Sequence, residues 1–577
     1  MRFLRMLTNA VIAGTLGAAY LTVVVLQLNP HVPLVSVSTW RWFATLALFY
    51  GVHLAVAFYV LMVMREFFSL DVLSPGWVSV RVLAWLAAGV SSLAALLMWL
   101  NTRGFAVALG EVAARRMAMG AIATAFSALV LFGIAVAHYS YGRRGGRVGA
   151  ALFTIAVFGS LALPVAARGP AIPIQAASYA ESMGVAAPRP PTPRVMLLLF
   201  DGASLEYVWT RAAEGRLPNF ARLIESGAAI DLATIRPTQP GPVWAAVATG
   251  MYPSKNGVRS AASYYAWGDD RPVDLLPDHC FSHALVSLGI VRDVPHSSAA
   301  WRARPLWSIL AHAGISVGFV RWPLTYPVQP VLGFLVADRF HDLLGSMFEF
   351  DDRAAYPPEV VALARQSFSA EPAGSVSTSA SVDSTEELRD GHYSRAMKAL
   401  QERWQAQVMA LRFQGLDLAG HRHWSASQPR SAGDGSDEQR RQSAQALERA
   451  YLAIDAEVGT VTQSLAPDDL LLVVGGFGMQ RLNPLKRLLE ALFGGDDMTG
   501  THERAPDGFL LAYGTAVEPG RRQRGSIVDV TPTVLYYLGL PVGRDMDGYA
   551  RSDLFTKAFT AERPIAFIPS HNTTPNY

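Results

Sequence analysis

The stretch DDLLLVVGGFGMQRL, residues 468–482, decides how the large part of this chain is read. Leu470 to Val474 is an unbroken apolar run, bounded by two aspartates and a cluster of glycines. A strand buried on both faces of a parallel sheet has this pattern. In open α/β sheets, ligands bind in the crevice at the carboxyl ends of strands. Here that end carries Gly475, Gly476, Phe477 and Gly478, none of which can bind a metal or move a proton.

Outward from this strand the pattern repeats. RVMLLLFDG (194–202) reads as a buried strand ending in Asp201. LPNFARLIESG (217–227) reads as an amphipathic helix with Gly227 as its stop. SVGFVRW (316–322), VMALRFQGLD (408–417) and GFLLAYG (508–514) are further strand candidates. Strands alternating with helices predict an α/β domain whose mostly parallel central sheet is covered on both faces. We expect that domain over 194–560, followed by a tail, 561–577. Residues 369–387 and 425–441, rich in Ser, Gly and charge, read as flexible.

The front of the chain differs. With 577 residues, more than one domain is expected. The mean hydropathy of +0.23 is high for a soluble protein. Its source is five apolar segments near 8–28, 42–64, 82–100, 117–138 and 148–166, each close to the roughly 20 residues that a spanning helix needs. Residues 1–167 carry 11 Arg, no Lys and 3 acidic residues, a net of +8. The whole chain is +3, so the remainder is −5. No basic face for nucleic acid is indicated in that remainder. MRFLRM could also open a signal peptide, but four further spans favour a retained helix.

Arg2 and Arg5, Arg65 and Arg81, and Arg143, Arg144 and Arg147 fall on one side of such a bundle. That side is cytoplasmic by the positive-inside rule. Arg103, Arg115 and Arg116 fall in a loop that weakens the assignment. Five spans then place the large domain outside the cytoplasm, in an inner-membrane, multi-pass protein. Residues 168–193, rich in Pro and Ala, read as a semi-rigid connector. His53 and Glu111, in or near spans, read as packing or interfacial groups rather than a polar pathway. The single Cys280 permits no intrachain disulfide.

Candidate chemistry sits at strand ends. Asp201 ends the first strand. LDLAGHRHW places Asp417 and His421 four apart, and GTHERAPDGFLLAYG puts His502 just before a strand. An Asp, His, His set suits zinc with an open position. Singly, each has a plainer reading. Asp201 before Gly is a turn former, and an Asp–His pair four apart is commonly a surface ion pair. His279 and His283 share that spacing, which would place both on one helix face, but Pro277 precedes them and no acid is suitably spaced. His296, His341, Asp342, His392 and His423 carry no pattern. Trp244, Trp322, Tyr326 and Trp424 read as core rather than as a pocket mouth.

Taken together, these residues carry a resemblance. The segments LLLFDGASLEYV, GRLPNFARLIESGA, RPTQPGPVWAAVATGMYPSKNGV, RPLWSILAHAGISVGFVRWPLTYPV, LDLAGHRHW, GFGM, GTHERAPDGFLLAYG and SIVDVTPTVLYYLGLPVGRDMDG run in order over about 194–550. Over that range the chain resembles the alkaline phosphatase superfamily, in particular the type I phosphodiesterase / nucleotide pyrophosphatase family. The resemblance implies an alkaline-phosphatase-like sandwich preceded by an all-α transmembrane region of about five helices. That layout also resembles the membrane-bound phosphoethanolamine and glycerophosphate transferases.

The family uses two zinc-like ions and a Thr or Ser nucleophile. Mapped here, one ion takes Asp417, His421 and His502. The other takes Asp201 with an Asp and a His that are replaced by Gly476 and Phe477. The nucleophile slot falls on Pro240, with Thr238 two residues upstream as the nearest hydroxyl. Cys280 lacks the neighbours of a sulfatase nucleophile.

Three readings follow. The first is a membrane-anchored phosphoester hydrolase or transferase with at most one zinc or similar divalent ion and an activated water. The second is an inactive pseudoenzyme serving as a binding or assembly module for envelope components. The third makes the helical part the active element. Expected partners are the lipid bilayer, other membrane or envelope proteins, and a phosphoester or phospholipid-like ligand.

Overall fold

Val195 to Phe200 alternates strictly between two cores. Val195, Leu197 and Leu199 pack into a cluster with Trp244, Trp307 and Trp322. Met196, Leu198 and Phe200 pack into another with Phe220, Tyr393 and Tyr451. Both faces of the strand are therefore apolar, which is why it reads as a continuous run. The computed structural model describes residues 1–68, 77–141, 146–173, 193–344, 352–369, 382–431, 435–484, 486–487 and 498–572. Most of the expected connector and part of the expected flexible segment 369–387 lie outside the described residues.

Among the described residues the main sheet has ten strands. In spatial order they are Gly520–Arg521, Ala228–Ala233, Gly508–Tyr513, Leu470–Gly475, Val195–Phe200, Val408–Phe413, Val317–Trp322, Gly333–Ala337 and Ala355–Tyr356, with Gly525–Ser526 pairing Ala228–Ala233. The five strands from Leu470–Gly475 to Gly333–Ala337 run parallel. Gly508–Tyr513 is antiparallel to both neighbours. This is the mostly parallel α/β sheet expected from the sequence. Phe200, Phe413 and Gly475 lie in register, so the carboxyl ends of three central strands meet at one level.

Local expectations needed some correction. Gly227 ends the helix Pro218–Ser226, but in extended backbone with φ −118° rather than in a left-handed turn. Parts of the segments read as flexible are helical. Val382–Trp404 begins inside one, and Asp437–Ser464 inside the other. The second helix starts on a capping box, in which Ser436 and Gln439 satisfy each other's backbone amides. Composition hides such a start, because the same Ser and Gln that suit a loop also cap a helix.

Contacts divide the chain into two units, Met1–Gln175 with Ala262–Pro295 and Ala176–Ala261 with His296–Tyr577. Among the described residues, the first holds five helices long and apolar enough to cross a membrane: Arg2–Leu28, Val37–Phe67, Val80–Gly104, Glu111–Ala137 and Val148–Arg168. Residues 262–295 leave the α/β sequence and complete this helical unit. Their ends meet in a hairpin, Ala262–Tyr265 against Arg292–Pro295.

Polar side chains at helix ends hold the excursion by its backbone. Asn29 donates to the Leu275 carbonyl at 2.8 Å and accepts from the amides of Asp274 and Leu275 at 2.8 and 3.0 Å. Asn101 donates to the Asp278 carbonyl at 3.1 Å and accepts its amide at 2.7 Å. Ser38 donates to Asp269, and the Tyr50 hydroxyl to the Cys280 carbonyl. Arg168, buried, donates to the carbonyls of Leu26, Asn29, Pro30 and Val32, where the first helix ends. Val273, Leu276, Leu285 and Val291 bury against Val25, Leu26, Trp42 and Leu46. His279 and His283 do not share a helix face. His279 sits in a turn with φ +66°, and His283 opens the short helix His283–Ser287.

Candidate functional site

The helix Gly415–His423 starts where the strand Val408–Phe413 ends. Its first amides are satisfied from outside the helix. The Asp390 carboxylate accepts from Gln414 N at 3.1 Å and Gly415 N at 2.8 Å. Asp390 and Glu386 are in turn held by the buried guanidinium of Arg321. A carboxylate is favourable at the positive end of a helix. This one fixes the face that carries Asp417 and His421.

Asp417, His421 and His502 come together, with one ligand atom from each all within 4.8 Å of one another. His421 Nε2 is 3.7 Å from one Asp417 oxygen, and His502 Nε2 is 3.8 Å from the other. Each histidine spends its other nitrogen on a carbonyl, His421 Nδ1 on Gly500 at 3.0 Å and His502 Nδ1 on Thr238 at 3.1 Å. A carbonyl only accepts, so Nδ1 carries a proton and Nε2 is the nitrogen turned toward Asp417. This is the arrangement that orients histidine for a metal ion. Asp417 Oδ1 is buried without a hydrogen bond, the kind of vacancy a cation satisfies. Burial pushes the Asp417 carboxyl above its ordinary range, and the neighbouring His502 and His421 oppose that shift. These residues fit one divalent ion. Gly202, with φ +70°, makes room for them: a Cβ there would lie 2.8 Å from Asp417 Cα.

Asp201 is bound differently. It is fully buried. Trp244 Nε1 donates to its Oδ1 at 2.6 Å. Arg412 Nε donates to both oxygens at 3.1 Å, and Arg412 Nη2 to Oδ2. The carboxylate thus faces a guanidinium and an indole. The positions of the two other ligands expected beside it are occupied by a backbone and a ring. Phe477 is buried with its ring 4.7 Å from that of His502. A Cβ on Gly476 would meet Val243 Cγ1 at 2.9 Å and Trp244 Cζ2 at 3.1 Å.

Pro240 opens the helix Pro240–Thr249, with Gln239 as its extended cap residue. Thr238 is buried and donates its hydroxyl to the Ile235 carbonyl at 2.8 Å. Its own carbonyl holds His502. In this geometry Thr238 orients a histidine and turns its hydroxyl toward its own loop. Trp244, Trp322 and Trp424 are core residues.

Arg412, Asp390 and Arg321 escaped the sequence reading. One signal was present: a lone arginine inside the apolar run VMALRF. A buried charge must find a partner, and the strand's neighbours at its carboxyl end were the place to seek it.

A family model for type I phosphodiesterase / nucleotide pyrophosphatase matches residues 195–511. Among solved structures, human ectonucleotide pyrophosphatase / phosphodiesterase 5 matches with a TM-score of 0.39 and 14% identity, over 63% of this chain and 100% of that one. No curated protein matches the chain.

Proposed function

Because the chain belongs to the type I phosphodiesterase / nucleotide pyrophosphatase family, we propose that it is a membrane-anchored phosphoester hydrolase or transferase working with a single divalent ion. The ion is held by Asp417, His421 and His502, with zinc the natural choice for this donor set. The observation that carries this reading is the pair of Nε2 atoms turned to the two oxygens of the Asp417 carboxylate, whose Oδ1 is buried without a hydrogen bond. A bound divalent ion would polarise a phosphoryl oxygen and lower the pKa of a coordinated water.

The chain's own residues do the rest. Gly500 and Thr238 carbonyls fix the two imidazoles, and Asp390 fixes the helix bearing Asp417. Pro240 stands at the expected nucleophile position and the Thr238 hydroxyl is bonded to the Ile235 carbonyl, so the reading assigns attack to water or to an acceptor alcohol. The five apolar helices support membrane anchoring. The arginine distribution favours a cytoplasmic N-terminus and an α/β domain on the opposite side.

The second reading, an inactive binding module, is favoured by one specific observation: Asp201 is sealed by Arg412 and Trp244. The two are separated by the metal content of the detergent-solubilised full chain beside an Asp417→Ala control, followed by turnover of bis(p-nitrophenyl) phosphate. About one zinc per chain, absent from the control, together with metal-dependent turnover supports the enzyme. One zinc without turnover leaves the binding module. No metal in either protein overturns the site.

A further inference from the structure

The second metal position of the family pattern has been rebuilt, and the changes there form one set. A divalent ion with two aspartates and a neutral histidine is electrically neutral. Here one aspartate position is Gly476 and the histidine position is Phe477. A divalent ion beside Asp201 alone would leave a buried excess of positive charge. Arg412 supplies a positive charge in direct contact with Asp201, and the carboxylate of Asp338 also feels that charge. The Trp244 N–H adds a further bond to Asp201.

Ion pairs this deep are seldom kept for stability, since well-packed apolar residues of the same volume do as well or better. Arg412 is 5% exposed and Asp201 0%. The pair also leaves donors over. The bonds to Asp201 run from Nε and Nη2, so the two N–H groups of Nη1 stand outside it. Asp201, which Arg412 holds, is followed by Gly202, whose backbone lies against Asp417: a Cβ at 202 would be 2.8 Å from Asp417 Cα. A planar guanidinium suits phosphoryl oxygens better than any other side chain.

Building on the one-metal reading above, we propose that Arg412 replaces the second metal ion. Its guanidinium, held by Asp201, binds an oxygen of a phosphoryl group whose other oxygen meets the ion at Asp417, His421 and His502. The ligand class is an inorganic phosphate or a phosphoester whose phosphorus bears at least two free oxygens. Trp244 is a positioning residue, acting through Asp201.

The test measures binding of inorganic phosphate by calorimetry, with metal content determined on the same samples of the full chain in detergent. Arg412→Met is combined with Asp201→Asn, so that no unpaired charge stays buried. Arg412→Lys alone keeps the charge but loses the fork. The zinc-loaded wild type is expected to bind phosphate, and the zinc-stripped protein to bind it far more weakly. The double variant is expected to keep one zinc and lose at least tenfold in phosphate affinity, and Arg412→Lys to lose severalfold.

Phosphate affinity within twofold of wild type in the double variant, with zinc retained, overturns the role of Arg412. If that variant does not fold, unchanged affinity in Arg412→Lys does so instead. Two zinc ions in the wild type overturn it as well. A wild type without zinc overturns the one-metal reading itself, and the metal column tells the two failures apart.

Discussion

Replacing Asp201 with Asn isolates the Arg412 pair. The substitution keeps the volume and removes one charge, so a guanidinium 5% exposed is left facing a neutral amide. The carboxylate loses the charge-assisted bonds from Arg412 Nε and Nη2, and part of its bond from Trp244. Breaking a buried pair by removing one partner costs about 3–5 kcal/mol, mostly because the other charge stays buried and unpaired. Removing both charges in Asp201→Asn with Arg412→Met costs much less, within about 1 kcal/mol of wild type by the same reasoning.

The assay is urea unfolding of the detergent-solubilised chain, with the midpoint compared at constant slope. The penalty is expected to be the same in zinc-loaded and zinc-stripped protein, because Asp201 bonds to side chains. A single-variant loss below about 1 kcal/mol would refute the argument. So would a double variant no more stable than the single one. A penalty seen only in the zinc-loaded protein would make Asp201 a metal ligand after all.

Restoring the family residues with Gly476→Asp and Phe477→His is expected to leave zinc at one per chain and lower stability, because a Cβ at 476 meets Val243 and Trp244; elemental analysis beside a melting curve checks both. A chain beginning at residue 176 is expected to aggregate on size-exclusion chromatography, since 262–295 then lacks the helices that cover Val273, Leu276, Leu285 and Val291. Joining residues 261 and 296 by a short Gly-Ser linker in that chain is expected to restore a soluble species, as the excursion's ends are paired. His341 provides the pH test: burial depresses its pKa to about 4, with Asp342 opposing and Arg321 assisting. A depressed histidine stabilises the fold above the unfolded value near 6.5 and loses that contribution as pH falls toward 4. Unfolding free energy should therefore drop by up to about 3 kcal/mol over that interval, and His341→Gln should flatten this arm of the profile.

Where pattern repeats locally, the sequence was a reliable guide. Apolar runs of five or six residues followed by Asp or Gly announced three of the sheet's strands, and their boundaries shifted by no more than a few residues. Asp417 and His421 were legible because four residues make one helical turn, whatever surrounds it. His502 was legible as a histidine just before a strand, but only the family resemblance tied it to a helix 79 to 87 residues earlier in the chain.

Other features depended on contacts between distant segments. The 262–295 excursion shows no break in composition, and its place is decided by Asn29, Asn101 and an apolar patch more than 170 residues away in sequence. Thr238 looked like the nearest hydroxyl to the nucleophile slot, yet its hydroxyl is spent on Ile235 and its carbonyl on His502.

By itself, the sequence determined the layer architecture and the apolar helices, and that Gly476, Phe477 and Pro240 carry no donor atom in their side chains, because period, length and side-chain chemistry are local properties. Only the tertiary structure decided what surrounds Asp201. Asp201 and Arg412 stand 211 residues apart in sequence, and a buried charge takes whatever partner the fold brings within hydrogen-bonding reach.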